Sequence, residues 1–122
     1  IEEIKLKDDI LMILNKEGFN CSGIDELSNI LKKDKTLISK LLKIESTSKN
    51  IIIINEKIFL TNRNYDKLLK NIYKHFEKLD TLNIKQFKDM LNTTRKYAVP
   101  LLEYLDKQKI TFRIGNERKI NK

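Results

Sequence analysis

The residues of this sequence best suited to chemistry are cations beside one predicted helix start. Arg95 and Lys96 directly follow Thr93 and Thr94. Threonine is favoured immediately before a helix, so these two residues predict a helix that begins near residue 95. The first N–H groups of a helix and the positive end of its dipole attract anions. The run therefore predicts an anion-binding site that carries two cationic side chains.

Few other side chains offer catalytic or metal-binding chemistry. The chain has one cysteine, Cys21, and one histidine, His75. A lone cysteine forms no intrachain disulfide, which fits a reducing, cytoplasmic compartment. A zinc site needs about four such ligands. A Cys–His nucleophile pair is formally possible, but a half-buried thiol and a surface imidazole is the more ordinary interpretation. We therefore expect a binding protein, not an enzyme, with no catalytic residue, metal or cofactor.

The net charge of +8 is distributed unevenly along the 122 residues. Residues 1–61 hold ten Lys+Arg and ten Asp+Glu, whereas residues 62–122 hold fifteen and seven. Such asymmetry favours a polyanion partner for the second half, either nucleic acid or an anionic membrane surface. A lysine-rich solubilising coat is the alternative. The longest unbroken apolar run, the five residues Ile10 to Leu14, is too short to span a membrane.

The apolar pattern repeats after sixty residues, without a gap, from residue 84 to residue 120. The matched pairs include Ile84 with Ile24, Phe87 with Leu27, Leu101 with Leu41, Leu102 with Leu42 and Ile120 with Leu60. A repeat of this length indicates two copies of one module. It predicts two domains, residues 1–61 and residues 62–122.

Each module is predicted to contain a helix, two shorter helices separated by a brief turn, and a hairpin. Asp34 is expected to cap the third helix of the first module, and Thr93 or Thr94 that of the second. Pro100 is expected to kink this last helix or to leave its first turn loosely joined. The helical period places these residues on buried faces: Ile10, Leu14, Leu27, Ile30, Leu68, Ile72, Tyr73, Phe76 and Leu79.

The two hairpins are predicted at Asn55-Glu56 and at Gly115-Asn116, because Gly and Asn tolerate the positive φ of tight turns. In the second hairpin apolar and polar residues alternate, which predicts one buried and one wet face. The residues predicted to face inward are Ile110, Phe112 and Ile114, and those predicted to face solvent are Thr111 and Arg113.

This order of elements predicts an α+β fold, mostly α, made of two tandem winged-helix domains. Each domain would be a helix-turn-helix plus a β-hairpin wing. Winged helices bind DNA, RNA or proteins, so the fold alone leaves the ligand open.

The run Thr94-Arg-Lys-Tyr-Ala-Val-Pro-Leu-Leu-Glu-Tyr-Leu-Asp106 is specific enough to suggest a family. Together with Asn83–Asn92 and Ile110–Arg118 it resembles the last winged helix of SelB, the family of bacterial selenocysteine-specific translation elongation factors. The resemblance implies that the second module binds SECIS, the mRNA hairpin that recodes UGA as selenocysteine. It implies that the first, penultimate module acts mainly as a spacer, and that the ribosome is a further partner of the full-length factor.

The family's GTP-binding and aminoacyl-tRNA-binding parts are expected to lie outside this chain, which contains no Gly-Lys-Ser/Thr phosphate loop. The chain starts at Ile1, and we expect it to be a piece of a longer protein. We also expect it to be a monomer that binds no membrane.

Binding an RNA hairpin requires cations for phosphate and a device that reads unpaired bases, since the RNA major groove is too narrow for a helix. Tyr97 could stack on a base, although its helical phase also suits the core. The residues predicted to bind RNA are Lys85, Gln86, Lys88, Thr94, Arg95, Lys96, Tyr97, Arg113, Arg118 and Lys119.

Two other functions fit the same predicted fold. The first alternative is a tandem winged-helix DNA-binding transcriptional regulator, but the outward residues Lys96, Glu103 and Lys107 are poor readers of base edges. The second is a scaffold module that binds another protein, which would require an exposed apolar patch.

Overall fold

The computed structural model describes residues 2–121, with side chains from residue 4 onward. The chain forms two compact units, of which the first ends at Tyr65 and the second begins at Asp66. The mostly helical α+β class predicted from the sequence is confirmed. The elements are α1 (Glu2–Glu17), α2 (Ile24–Leu31), α3 (Lys35–Thr47), β1 (Ile51–Asn55), β2 (Ile58–Thr61), α4 (Asn62–Lys78), β3 (Leu82–Asn83), α5 (Ile84–Leu91), α6 (Arg95–Lys107), β4 (Thr111–Ile114) and β5 (Glu117–Ile120).

The sixty-residue repeat is visible in the helices and in the turns that end them. α5 begins sixty residues after α2, and α6 begins sixty residues after α3. The left-handed residues that end α2 and α5, Lys32 (φ 56°) and Asn92 (φ 52°), keep the same spacing. So do the left-handed residues after α3 and α6, Lys49 (φ 65°) and Lys109 (φ 62°). The two copies thus share their backbone turns as well as their apolar pattern.

The repeat loses one residue in the hairpin, before the last strand, so the ungapped match is wrong in that strand. β5 begins at Glu117, which lies 59 residues after the first residue of β2, Ile58. The first hairpin has an irregular register between Ile53 and Asn55, which adds a residue to β1 relative to β4. Ile120 therefore corresponds to Thr61, one residue beyond the predicted match.

The helix starts agree with the predicted positions but not with the predicted capping bonds. Asp34 and Thr94 are the N-cap residues of α3 and α6, yet neither side chain accepts a capping hydrogen bond. The N-cap of α5 is a capping box, in which Gln86 N–H donates to Asn83 Oδ1 at 2.8 Å. Asn83 N–H in turn donates to Gln86 Oε1 at 2.9 Å. The α5 start is therefore held by two side chains.

Three side chains predicted on buried helix faces are exposed instead: Ile30 by 54%, Tyr73 by 50% and Leu79 by 48%. Ile30 lies at the edge of the short face that α2 buries through Leu27. Tyr73 is turned about 100° from its buried neighbour Ile72, and Leu79 lies beyond the last residue of α4.

The second hairpin belongs to a three-stranded antiparallel sheet in the order β3-β5-β4. Gly115, with φ +60°, occupies the predicted turn. The predicted facing of β4 is wrong: Thr111 is buried, whereas Phe112 and Ile114 are 42% and 50% exposed. The reason is a carboxylate on the inner side of the sheet, since Thr111 Oγ1 donates to Asp106 Oδ1 at 2.6 Å.

Pro100 lies inside α6, which continues from Arg95 to Lys107 as one helix. Proline has no N–H to donate to the carbonyl of Lys96, four residues earlier. The helix accommodates this loss without ending, and Leu101, Leu102 and Leu105 after it are buried.

Candidate nucleic-acid interface

The start of α6 exposes its three leading residues, Thr94, Arg95 and Lys96, to solvent. Ala98 N–H donates to the carbonyl of Thr94 at 2.9 Å, and Tyr97 N–H donates to the same oxygen at 3.1 Å. The N–H groups of residues 95 and 96 come before these helical bonds, and such groups are available to an outside acceptor. The Lys96 ammonium lies 5.3 Å from the ring centroid of the half-buried Tyr97. This end of α6 therefore combines N–H donors, a hydroxyl and two cations.

The predicted residues on α5 lie at both of its ends. Lys88 is half-buried in the last turn, and its carbonyl accepts from Thr93 N–H at 3.0 Å, which joins it to the start of α6. Lys85 is exposed in the first turn. Gln86 beside it already uses its side-chain oxygen in the capping box, so any contact with a ligand would fall to its amide NH₂ group.

The two units carry different charges at equivalent helix starts. In the first unit, Lys35 Nζ at the start of α3 lies 3.1 Å from Asp25 Oδ1 in the first turn of α2. Sixty residues later these positions are Arg95 and Lys85. An ion pair in one unit is thus replaced by two cations in the other.

Arg113 and Lys119 are exposed in the wing, the hairpin formed by β4 and β5. Arg113 lies near the turn, and its Nε donates to the carbonyl of Gly115 at 2.8 Å. Arg118 departs from the predicted set, because it is only 9% exposed. Its Nη2 lies 3.0 Å from Asp106 Oδ2 and its Nε donates to the same oxygen at 3.1 Å. We therefore leave Arg118 out of the interface.

Asp106, Thr111 and Arg118 form a polar cluster that ties the end of α6 to both strands of the wing. The matching residues of the first unit are Ser46, Ile51 and Phe59, so this cluster belongs to the second unit alone. The sequence pattern does not predict this cluster, because it places Thr111 on the wet face of the hairpin and Arg118 among the RNA-binding residues. A comparison of the two copies could have indicated the cluster, because its three polar residues replace two apolar residues and a serine at the matching positions of the first unit.

The remaining chemical groups are engaged in local contacts. Cys21 Sγ donates to the carbonyl of Gly18 at 3.3 Å, and burial raises the pKa of this thiol to about 12. His75 Nε2 lies 2.8 Å from the carbonyl oxygen of Thr81. Within residues 2–121, no group of His, Cys, Asp and Glu side chains could hold a metal ion. The helices of this part of the chain are too short or too polar to cross a membrane.

A helix–turn–helix followed by a hairpin wing, with cations at the start of its second helix, defines the second unit as a winged helix. Residues 74–120 match the family described as "Elongation factor SelB, winged helix". This segment therefore belongs to the SelB winged helices, as the resemblance of its sequence indicated.

Similarity to SelB proteins extends over most of the chain. The selenocysteine-specific elongation factor of Desulfomicrobium baculatum is 34% identical over 97 residues, which are 80% of this chain and 15% of that protein. The structure of bacterial selenocysteine-specific elongation factor EF-Sec matches 81% of this chain and 18% of its own, with 32% identity and a TM-score of 0.58. The chain thus spans about 15% of the length of the curated relative.

A solved structure of similar extent shares the fold. It is the mRNA-binding domain of elongation factor SelB from E. coli in complex with SECIS RNA. It matches with a TM-score of 0.76 over 82% of this chain and 83% of its own, at 21% identity.

Proposed function

We propose that this chain is the mRNA-binding part of a selenocysteine-specific translation elongation factor. Its second unit binds a SECIS-type mRNA stem-loop and thereby tethers the factor to the mRNA for recoding of UGA. Support comes from the SelB match of residues 74–120 and from the relatives, of which the E. coli SelB domain is described in complex with SECIS RNA.

The observation that carries this proposal is the replacement of an ion pair by two cations at one site. Asp25 neutralises Lys35 in the first unit, whereas Lys85 takes the place of Asp25 in the second. Two like charges at such positions repel each other, and an anion that binds there relieves the repulsion. A phosphate of the RNA backbone supplies that anion, and the N–H groups at the start of α6 add further donors.

The proposed interface has two lobes on the second unit. The helix lobe binds the phosphates of the stem-loop and presents Tyr97 and Gln86 to unpaired bases, whereas the wing lobe adds two cations. The helix lobe consists of Lys85, Gln86, Lys88, Thr94, Arg95, Lys96 and Tyr97, and the wing lobe of Arg113 and Lys119. Arg118 instead holds the wing against α6 through Asp106.

The proposal gives the two modules different roles in the parent factor. Residues 1–61 and residues 62–122 form tandem winged-helix domains, of which the first is a spacer and the second binds RNA. Equal numbers of cations and acids in the first module and an excess of eight cations in the second support this division. The chain acts as a cytoplasmic, monomeric binding module without catalytic activity, whose parent factor also contacts the ribosome.

A paired substitution tests the helix lobe. We expect Arg95→Ala with Lys96→Ala to weaken binding to an RNA stem-loop by about 25- to 60-fold or more at 0.1 M salt, measured by fluorescence anisotropy, because two phosphate-binding cations are lost. Both side chains are exposed, so far-UV circular dichroism and thermal melting should be unchanged. The matched control, Lys40→Ala with Lys43→Ala on α3, removes two exposed cations from the first unit and should retain binding. Equal affinities of the first variant and the wild type would show that another face binds the RNA.

A further inference from the structure

One face of the wing is exposed to solvent, whereas the matching face of the first unit's hairpin is covered at β2. All four residues of β2, Ile58 to Thr61, are buried, so both faces of that strand are covered. In β5 only Arg118 is buried, while Glu117 and Lys119 on the opposite side are exposed. β5, which corresponds to β2 in the repeat, is therefore uncovered on one of its faces.

This open face carries an aromatic ring beside a cation. Phe112 lies directly opposite Lys119 in the antiparallel pair, so both side chains project from the same side of the sheet. Phe112 is 42% exposed and Ile114, two residues along β4, is 50% exposed. β4 is also an edge strand. A ligand can therefore reach the ring from the side as well as from above.

The inward polar cluster maintains this arrangement. Thr111 and Arg118 point to the inner side, where both bond Asp106. Because side chains alternate along a strand, their inward position forces Phe112 outward. The exposure of the ring is therefore built into the buried contacts of the wing.

We propose that Phe112 and Lys119 form a stacking platform for one unpaired nucleobase of the bound RNA, with the Lys119 ammonium on an adjacent phosphate. Aromatic rings on sheets, flanked by cations, bind single-stranded RNA in this way. A protein partner fits the face less well: phenylalanine is enriched in protein–protein interfaces, but both charged residues of this face, Glu117 and Lys119, are of types that are depleted there. The proposal rests on the RNA binding proposed above and adds a base contact to its wing lobe.

The test is a mutant cycle between the protein and the RNA. The probe is a stem-loop selected for binding from a library with a randomised loop, with each unpaired nucleotide replaced in turn by an abasic one. We expect Phe112→Ala to weaken binding of the intact probe by about 5- to 150-fold, which is the range that stacking of one base on an aromatic ring contributes. At one loop position, the abasic change should weaken binding to the wild type and have no further effect on Phe112→Ala.

Three further variants separate stacking from simple apolar contact and from the loss of any exposed ring. Phe112→Trp should retain affinity because it keeps a stacking ring, whereas Phe112→Leu should behave like Phe112→Ala. Tyr73→Ala is the matched control, since it removes a ring that is 50% exposed on α4, and it should bind like the wild type. Thermal melting checks that the fold is retained.

Each contrary outcome overturns a defined part of the proposal. If the wild type binds the probe and Phe112→Ala binds equally well, the platform is refuted and the proposed function stands. Equal binding by Phe112→Leu and the wild type would show that apolar contact suffices without stacking. Sedimentation of the wild type as a dimer, with Phe112→Ala as a monomer, would show that a second copy covers the face. If the wild type binds no stem-loop from the library, both proposals fail.

Discussion

Replacing Lys85 by aspartate should give the second unit the charge arrangement of the first. In the first unit the Asp25–Lys35 pair spans 3.1 Å between side chains that are 75% and 61% exposed. In the Lys85→Asp variant, Arg95 should form the equivalent pair. One cation of the interface would then be removed and a second one neutralised, and the free energy of unfolding should change by only about 0–1 kcal/mol, as is usual for exposed pairs.

The expected loss of affinity follows from the number of cations in the interface. They are Lys85, Lys88, Arg95, Lys96, Arg113 and Lys119. If each neutralises one phosphate, the slope of log K against log salt concentration is about −4 to −5, and losing two contacts reduces it to about −3 to −4. At 0.1 M salt the same loss weakens binding by about 25- to 60-fold through counterion release.

Fluorescence anisotropy of a labelled stem-loop, titrated at several salt concentrations, measures both quantities. Lys70→Asp on α4 is the control, because it makes the same change of charge at an exposed residue outside the interface. Equal slopes and equal affinities for Lys85→Asp and Lys70→Asp would show that Lys85 does not contact phosphate, since the effect would then depend on net charge alone.

Two further predictions concern stability. Asp106→Ala leaves Arg118 buried without its carboxylate and should lower the free energy of unfolding in urea by about 2–4 kcal/mol. This is somewhat below the cost of breaking a fully buried pair, because the Asp106 side chain is partly exposed. An unchanged urea midpoint would show that the pair is dispensable. In the folded protein the pKa of the Cys21 thiol is raised to about 12, whereas a thiol in the unfolded chain has a pKa of about 8.5. The contribution of this thiol to stability should therefore be full below about pH 8 and decline as the pH rises from about 8.5 towards 12. Urea unfolding at pH 8 and pH 10.5 should show a smaller loss of stability for Cys21→Ala than for the wild type, and equal losses would contradict it.

The helices of the second unit and their order could be predicted because their signals are local. The helical period of the apolar residues and the threonine before Arg95 depend on nearby sequence, and the sixty-residue repeat indicates the same elements in both units. The facing of β4 could not be predicted, because Asp106 lies five residues away on another element and reverses the ordinary preference of Thr111 and Phe112.

Contacts between elements also limited the prediction of the RNA-binding site. Exposure of Arg95 and Lys96 at the helix start followed from local signals. Arg118 has the same charge and lies in the same predicted surface, but a carboxylate twelve residues earlier in the chain holds it in the interior. A charge pattern predicts where cations are, and only the packing decides which of them face solvent.

The proposed function requires that the second unit recognise an RNA stem-loop and not nucleic acid in general. The most direct measurement is the affinity of the chain for a selected RNA stem-loop and for a DNA duplex with the same number of phosphates, at the same salt concentration. We predict nanomolar binding of the stem-loop that weakens steeply with salt, and much weaker binding of the duplex. Equal affinities for the two would contradict recognition of RNA and favour a DNA-binding regulator.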